Sequence, residues 1–296
     1  MRVADHQIYQ TLLGNLQRSR SQMLEAQEQI SSQKKVQRPS DDPRAFGQIV
    51  LDKSALSQTD QWVRNIEFGQ ARVDAADQAL GQVQDLITRI RELTIQASSD
   101  TTSAQGRTAI AQEVRQLHRQ LVHLANTEVA GQAIFAGTKT DVRPFAVTSG
   151  DTVAYSGNSE TQSIAVSENQ TVQILVPGSS IFTGSSTNIF DSVRDLLTAL
   201  EGNNRTGIEA AIGNLDLATA QISDAQGTIG GLANRLQVTK DGLDTAKLTI
   251  SRAISENQDA DLATAITQLR LQEVAVDAAS QAFTRIFDQS LLNYLR

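Results

Sequence analysis

The residues that could do chemistry are few. Histidine occurs at His6, His118 and His123, and the last two stand five positions apart, which puts them on different faces of a helix rather than in the i, i+4 spacing of a metal pair. They read as surface or seam-edge residues, not ligands. Asp41 and Asp42 are adjacent carboxylates of the kind that share acid–base work or hold Mg²⁺. They precede Pro43, which suits the first turn of a helix, so capping is the better reading. The run "GTIGGLANRL" clusters Gly227, Gly230 and Gly231 but lacks the Gly-Lys-Ser/Thr that grips a phosphate; a kink or close helix packing is expected there. "DADLATA" has too few oxygen ligands for a calcium loop, no G-x-S-x-G elbow is present, and no base is suitably spaced from a candidate nucleophile. Cysteine is absent, which removes thiolate sites and disulfides. The expectation is no catalytic residue, no metal and no cofactor: a protein that is not an enzyme.

The elements around these residues are long. Residues 1–35 carry a heptad seam at Tyr9, Leu12, Leu16, Ser19, Met23, Ala26 and Ile30. The segment "KKVQRPSDDPRAF" then breaks it. Pro39 removes an amide hydrogen and disfavours helical geometry just before it, so the helix is expected to stop there and a new one to start at Pro43. Pro39, Ser40, Asp41, Asp42 and Pro43 thus form a stop followed at once by a start. The second helix extends to about Ala97, with Trp62, Ile66, Gly69, Val73, Ala76, Leu80, Val83, Ile87, Ile90, Thr94 and Ala97 in register, a length of roughly 80 Å. After the turn "SSDTTSAQG" a third run aligns Ile110, Val114, Leu117, Leu121 and Leu124.

Between Gly131 and Gly184 the composition shifts to Gly, Ser, Thr and Val, and "TVAYSG", "QSIAV" and "TVQILV" alternate as strands do. Helical patterning resumes at "NIFDSVRDLLTALE" and again from about Thr206 to Glu256. "SENQDAD" interrupts it, with Asp259 or Asp261 as cap of a last helix. That helix places Leu262, Ile266, Leu269, Val276, Phe283 and Phe287 in seam positions, while Glu273 and Ser280 spoil one column. The order is nearly a palindrome. Residues 1–40 contain six Lys/Arg and three Asp/Glu, and residues 256–296 the reverse, so the two ends are expected to pair with each other.

The fold class predicted is mainly α: a long α-helical coiled-coil bundle built from both chain ends, with a small β-rich insert domain. The expected domains are residues 1–40 plus 257–296, ordered only on assembly; 41–140 plus 185–256; and the outer insert 141–184, compact enough to be replaced by a linker. Composition agrees. Aromatics are 4% of 296 residues, which suits helices packing through small side chains. A net charge of −7 and the lack of a basic tract argue against nucleic acid. No stretch nears the roughly 18 apolar residues of a membrane span, and the N-terminus lacks the apolar core of a secretory signal.

Four separated stretches resemble the bacterial flagellins and flagellar hook-associated proteins. "ISSQKKVQRPSDDPRAFGQIVL" is similar to the family's entry into its long helix. "LANTEVAGQAIFAGTKTDVRPF" and "VPGSSIF" are similar to the start and close of the insert in the hook–filament junction branch, the type 3 hook-associated proteins. "DADLATAITQLRLQEVAVDAASQAFTRIFDQSLLNYL" resembles the family's carboxy-terminal helix, although "SENQDAD" departs from the usual approach to it. The resemblance implies a structural adaptor that forms a ring-like homo-oligomer joining a hook-side hook-associated protein to flagellin, with Pro39, Ser40, Asp41, Asp42 and Pro43 as the joint between two domains. It also implies export without a cleaved signal through the flagellar type III apparatus, aided by a cytosolic export chaperone at the C-terminal region, and an extracellular place on the flagellum. A flagellin-type filament subunit is the alternative. A receptor-like signalling rod lacks its membrane span, and a glycan-binding adhesin has only Phe145, Tyr155 and Phe182 in the insert to stack on sugars.

Overall fold

A computed structural model describes residues 2–184 and 186–294. Helices α1 (Arg2–Ser32), α2 (Pro43–Ser98) and α3 (Ala104–Ala125) come first. Six short strands follow: β1 (Glu128–Val129), β2 (Gln132–Ala133), β3 (Phe145–Val147), β4 (Val153–Tyr155), β5 (Gln162–Ser167) and β6 (Gln170–Leu175). Then come α4 (Gly178–Phe182), α5 (Ile189–Glu201), α6 (Arg205–Gln258) and α7 (Leu262–Tyr294). The chain is mainly helical, with a small β-containing region between long helices, as the periodicity predicts. It separates into two compact units, residues 1–58 with 246–296 and residues 59–245, and each boundary falls inside one of the long helices α2 and α6.

The larger unit has one core. The α2 column from Ile66 to Ala97 is buried throughout, and the Thr94 hydroxyl within it donates to the Ile90 carbonyl at 2.7 Å, so burial leaves it bonded. On α6 the buried positions Ile208, Ala211, Leu215, Ala218, Ile222, Ile229 and Leu236 repeat with heptad spacing. Helix α5 starts at Asn188, whose side chain accepts from the Phe190 and Asp191 amides, and it buries Phe190, Val193, Leu196 and Leu200.

The strands make three separate antiparallel hairpins, β1–β2, β3–β4 and β5–β6. A lone two-stranded hairpin is marginal in water, so these are held by what they bury against the helices. Phe145, Val153, Val166, Val172, Ile174 and Leu175 belong to the same core as α2, α3, α5 and α6. Four of the eight phenylalanines, Phe135, Phe145, Phe182 and Phe190, gather there, with ring centroids 5.1 to 5.7 Å apart for the contacting pairs. Residues 141–184 thus supply part of this core, and β1–β2 begins earlier, within the stretch assigned to the helical bundle. The same burial takes Phe145 and Phe182 away from any sugar.

Candidate assembly interface and its joint

The joint begins earlier than proline chemistry indicates. Helix α1 ends at Ser32, not at Pro39, because Gln33 turns into the left-handed region (φ 60°) and the next residues pair elsewhere. Lys34 forms an antiparallel bridge with Asp259. The Lys35 amide donates to the Gln258 carbonyl at 2.8 Å, the Ala260 amide to the Gln33 carbonyl at 2.9 Å, and Lys35 Nζ to the Glu256 carbonyl at 2.6 Å. The break after α1 is thus zipped to the break before α7. Each satisfies backbone groups that the other's helix end leaves open.

Pro39 sits in a turn closed by the Asp41 amide on the Arg38 carbonyl at 3.1 Å. The Asp41 carboxylate accepts the Arg38 and Gln37 amides, each at 2.9 Å, and these bonds hold its pKa below the ordinary aspartate value. Asp42 is the cap of α2: its Oδ1 accepts the Arg44 and Ala45 amides at 3.0 and 2.9 Å, with Pro43 as first helical residue. Ser40 donates to Asp41 at 3.3 Å. Across the joint, Asp261 rather than Asp259 caps α7. It accepts the Thr264 hydroxyl at 2.9 Å and the Ala263 amide at 3.0 Å, and the Thr264 contacts lead in lowering its pKa.

Helices α1 and α7 pack along each other. On α1 the seam is placed as periodicity predicts: Leu12, Leu16, Met23 and Ile30 are half-buried and Ala26 is buried. On α7 the column is Ala265, Leu269, Gln272, Val276, Ala279 and Phe283. Leu269, Val276 and Phe283 are brought into it, whereas Leu262 and Ile266 lie beside it, 39% and 43% exposed. Glu273 is exposed and so does not interrupt the column; Ser280 donates to the Val276 carbonyl at 2.7 Å. The side chains of Tyr9 and Phe287 lie outside the described residues. Ala265 and Ala279 were missed because alanine is neutral in a hydrophobic pattern. Among the described residues no salt bridge joins α1 to α7, so of the apolar seams and opposite charges that predict the pairing, the seams carry it together with the backbone zipper. The opposite face of α7 exposes Leu271 (63%) and Val274 (69%), and α1 exposes Leu24.

The chemical candidates are placed as follows. His123 is exposed and the His6 side chain lies outside the described residues. His118 corrects the reading of a surface or seam-edge residue, because it is 1% exposed inside the larger unit. Gly227, Gly230 and Gly231 lie on exposed positions of the uninterrupted α6, with nothing within 4 Å of where a Cβ would stand, so neither a kink nor close packing explains them. Among the described residues, no group of three or more His, Asp or Glu side chains gathers as a metal site, and no helix is long and apolar enough to cross a membrane.

Residues 3–140 match the model of the bacterial flagellin N-terminal helical region and residues 212–295 that of the C-terminal helical region. The chain belongs to the flagellin family. Within it, the sequence is 27% identical to flagellar hook-associated protein 3 of Escherichia coli, over 98% of both chains. Flagellin FlaB1 of Treponema pallidum is 26% identical over 91% of each. The fold is shared with a putative flagellar hook-associated protein from Vibrio parahaemolyticus, at a TM-score of 0.68 and 21% identity over 74% of this chain and 100% of that one. The family is a structural one of the bacterial flagellum.

Proposed function

We propose that this flagellin-family chain is an adaptor subunit at the hook–filament junction. It assembles with copies of itself into a ring that contacts a hook-side hook-associated protein on one side and flagellin on the other. The observation that carries this reading is the end-to-end match to a hook-associated protein 3, which includes the insert as well as the helical ends. The assembly surface is built from α1 and α7. Leu12, Leu16, Met23, Ile30, Leu269, Val276 and Phe283 stay half-covered when only two helices meet, and Leu262, Ile266, Leu271 and Val274 remain open for neighbours. The zipped breaks at Gln33–Lys35 and Gln258–Ala260 set where α1 ends and α7 begins, and Pro39 to Pro43 lead from them into α2. Export without a cleaved signal, and a chaperone on the C-terminal region before export, belong to the same reading, as does the absence of enzyme activity.

Gold-labelled antibody on purified hook–basal bodies and on filaments tests it. Label confined to hook ends in few copies, and hooks without filaments in a deletion strain, are the expected results. A filament subunit is the second reading, favoured by the match to a flagellin over 91% of the chain; label along whole filaments would establish that instead.

A further inference from the structure

His118 is a buried ionisable side chain with no part in the assembly surface. It lies on α3, 1% exposed, and neither ring nitrogen is bonded to a protein group. Its ring meets the edge of Phe190 at the start of α5, at 6.2 Å and 84°. Phe190 in turn packs on Phe145, the first residue of β3, at 5.1 Å. One turn before His118 on the same helix, Arg115 bonds Asp151 at 3.3 Å in the turn joining β3 to β4, and also pairs with Glu201 at the end of α5. Gly150 and Asp151 in that turn are left-handed, with φ of 69° and 58°. Glycine and aspartate are among the residues that adopt this conformation, which suits a tight turn. Asn126 completes the attachment, bonding the Phe145 amide and carbonyl at 2.9 and 2.8 Å.

We infer that the β3–β4 hairpin is docked on α3 and α5 through an acid-sensitive contact, in which protonation of His118 releases the hairpin. The charged groups around the ring cannot satisfy an imidazolium. Asp151, from the turn, is engaged by Arg115. Arg119, the next residue on α3, repels a second cation. From α5 the ring meets uncharged Phe190, Glu201 is held by Arg115, and Arg194 is paired with Asp191 and Asp195. Phe145 of β3, which packs on Phe190, brings no charge either. Burial is the chief cause that pushes the His118 pKa below 6.5; Asp151 opposes it and Arg119 adds to it. The sign follows. An undocked ring takes its proton near the ordinary value, whereas the docked ring resists it. Docking is therefore complete above that value and is lost as pH falls below it, by up to about tenfold in the docking equilibrium per pH unit.

Hydrogen exchange of the full-length chain at about pH 7.5 and about pH 5 tests this, read as protection factors over residues 144–156 so that the intrinsic pH dependence cancels. The expected result is a loss of protection of about tenfold or more in the wild type over that range. It should be absent from His118→Phe and His118→Leu and retained in His123→Gln. An equal loss in both His118 variants, or no loss in the wild type, overturns the proposal. Should both variants fail to fold, the NMR titration of His118 decides. A midpoint below the ordinary histidine value, with the hairpin amides opening at higher pH than the docked ring protonates, upholds the proposal; a midpoint at or above that value overturns it.

Discussion

Asp41 and Asp42 are adjacent, yet they bond in opposite directions along the chain. Asp41 reaches back to the Gln37 and Arg38 amides and closes the turn; Asp42 reaches forward to Arg44 and Ala45 and starts α2. Asp42→Ala should destabilise the N-terminus of α2 by about 1 kcal/mol in denaturant titration, and Asp42→Ser should restore most of it. The pH behaviour of the joint follows from Asp41 and Asp261, whose pKa values are depressed by the bonds they accept. A depressed carboxylate stabilises the fold fully above its unfolded value and loses that contribution as pH falls through the lower folded value. Amide protection factors at Gln37, Arg38, Ala263 and Thr264 should therefore hold steady at neutral pH and fall only below the ordinary aspartate range. Gln33, left-handed at the end of α1, makes a separate prediction: Gln33→Gly relieves the Cβ clash and should raise stability by up to about 1 kcal/mol in the same titration.

Glycine shows how context decides at the scale of an element. Gly69 of α2 faces the β5–β6 hairpin so closely that a Cβ would stand 2.8 Å from Ile174 Cγ2 and 3.0 Å from Ile164 Cδ1. Gly69→Ala overpacks this contact and should cost about 1–3 kcal/mol. Gly227, Gly230 and Gly231 of α6 meet nothing, so Ala at each should stabilise the helix by about 0.5–1 kcal/mol through the unfolded chain's lost freedom. Thermal melts of the four single variants check both directions at once. If the three α6 substitutions leave the melt unchanged but impair filament attachment, those glycines serve assembly rather than the monomer fold.

At the scale of the molecule, the two units should respond differently to protease. The unit of residues 1–58 and 246–296 buries Ala26, Val36, Ile49 and Ala265, while most of its seam is only half-covered. So little burial does not offset the roughly 1–2 kcal/mol per residue that ordering a backbone costs. Free monomer is expected to be trimmed to a core beginning near Pro43 and ending near Glu256, and assembled junctions to be protected. Equal resistance in both states would sink the idea that the ends order on assembly. Replacing residues 141–184 by a short Gly/Ser linker is expected to abolish cooperative unfolding of the larger unit, because it removes Phe145, Val166, Val172, Ile174 and Phe182 from a shared core. Circular dichroism during a melt reads that outcome directly.

The sequence by itself determined the helices, the α2 seam and the family. Periodicity over many turns averages out local ambiguity, which is why every α2 seam position from Ile66 to Ala97 is buried as the spacing predicts. It also located the break before α2 and the aspartates able to cap α2 and α7. Tertiary structure decided three things that spacing along one chain cannot contain. The end of α1 at Ser32 depends on Gln33 to Lys35 finding Gln258 to Ala260, more than two hundred residues away in sequence. The phase of α7 depends on its partner, because Ala265 and Ala279 count as contacts only once α1 lies against them. His118 reads as an edge residue by spacing and becomes a core residue, buried on α3 with Phe190 of α5 against its ring. In each case the deciding term is burial or a backbone bond supplied by a distant segment, and composition and periodicity are blind to both.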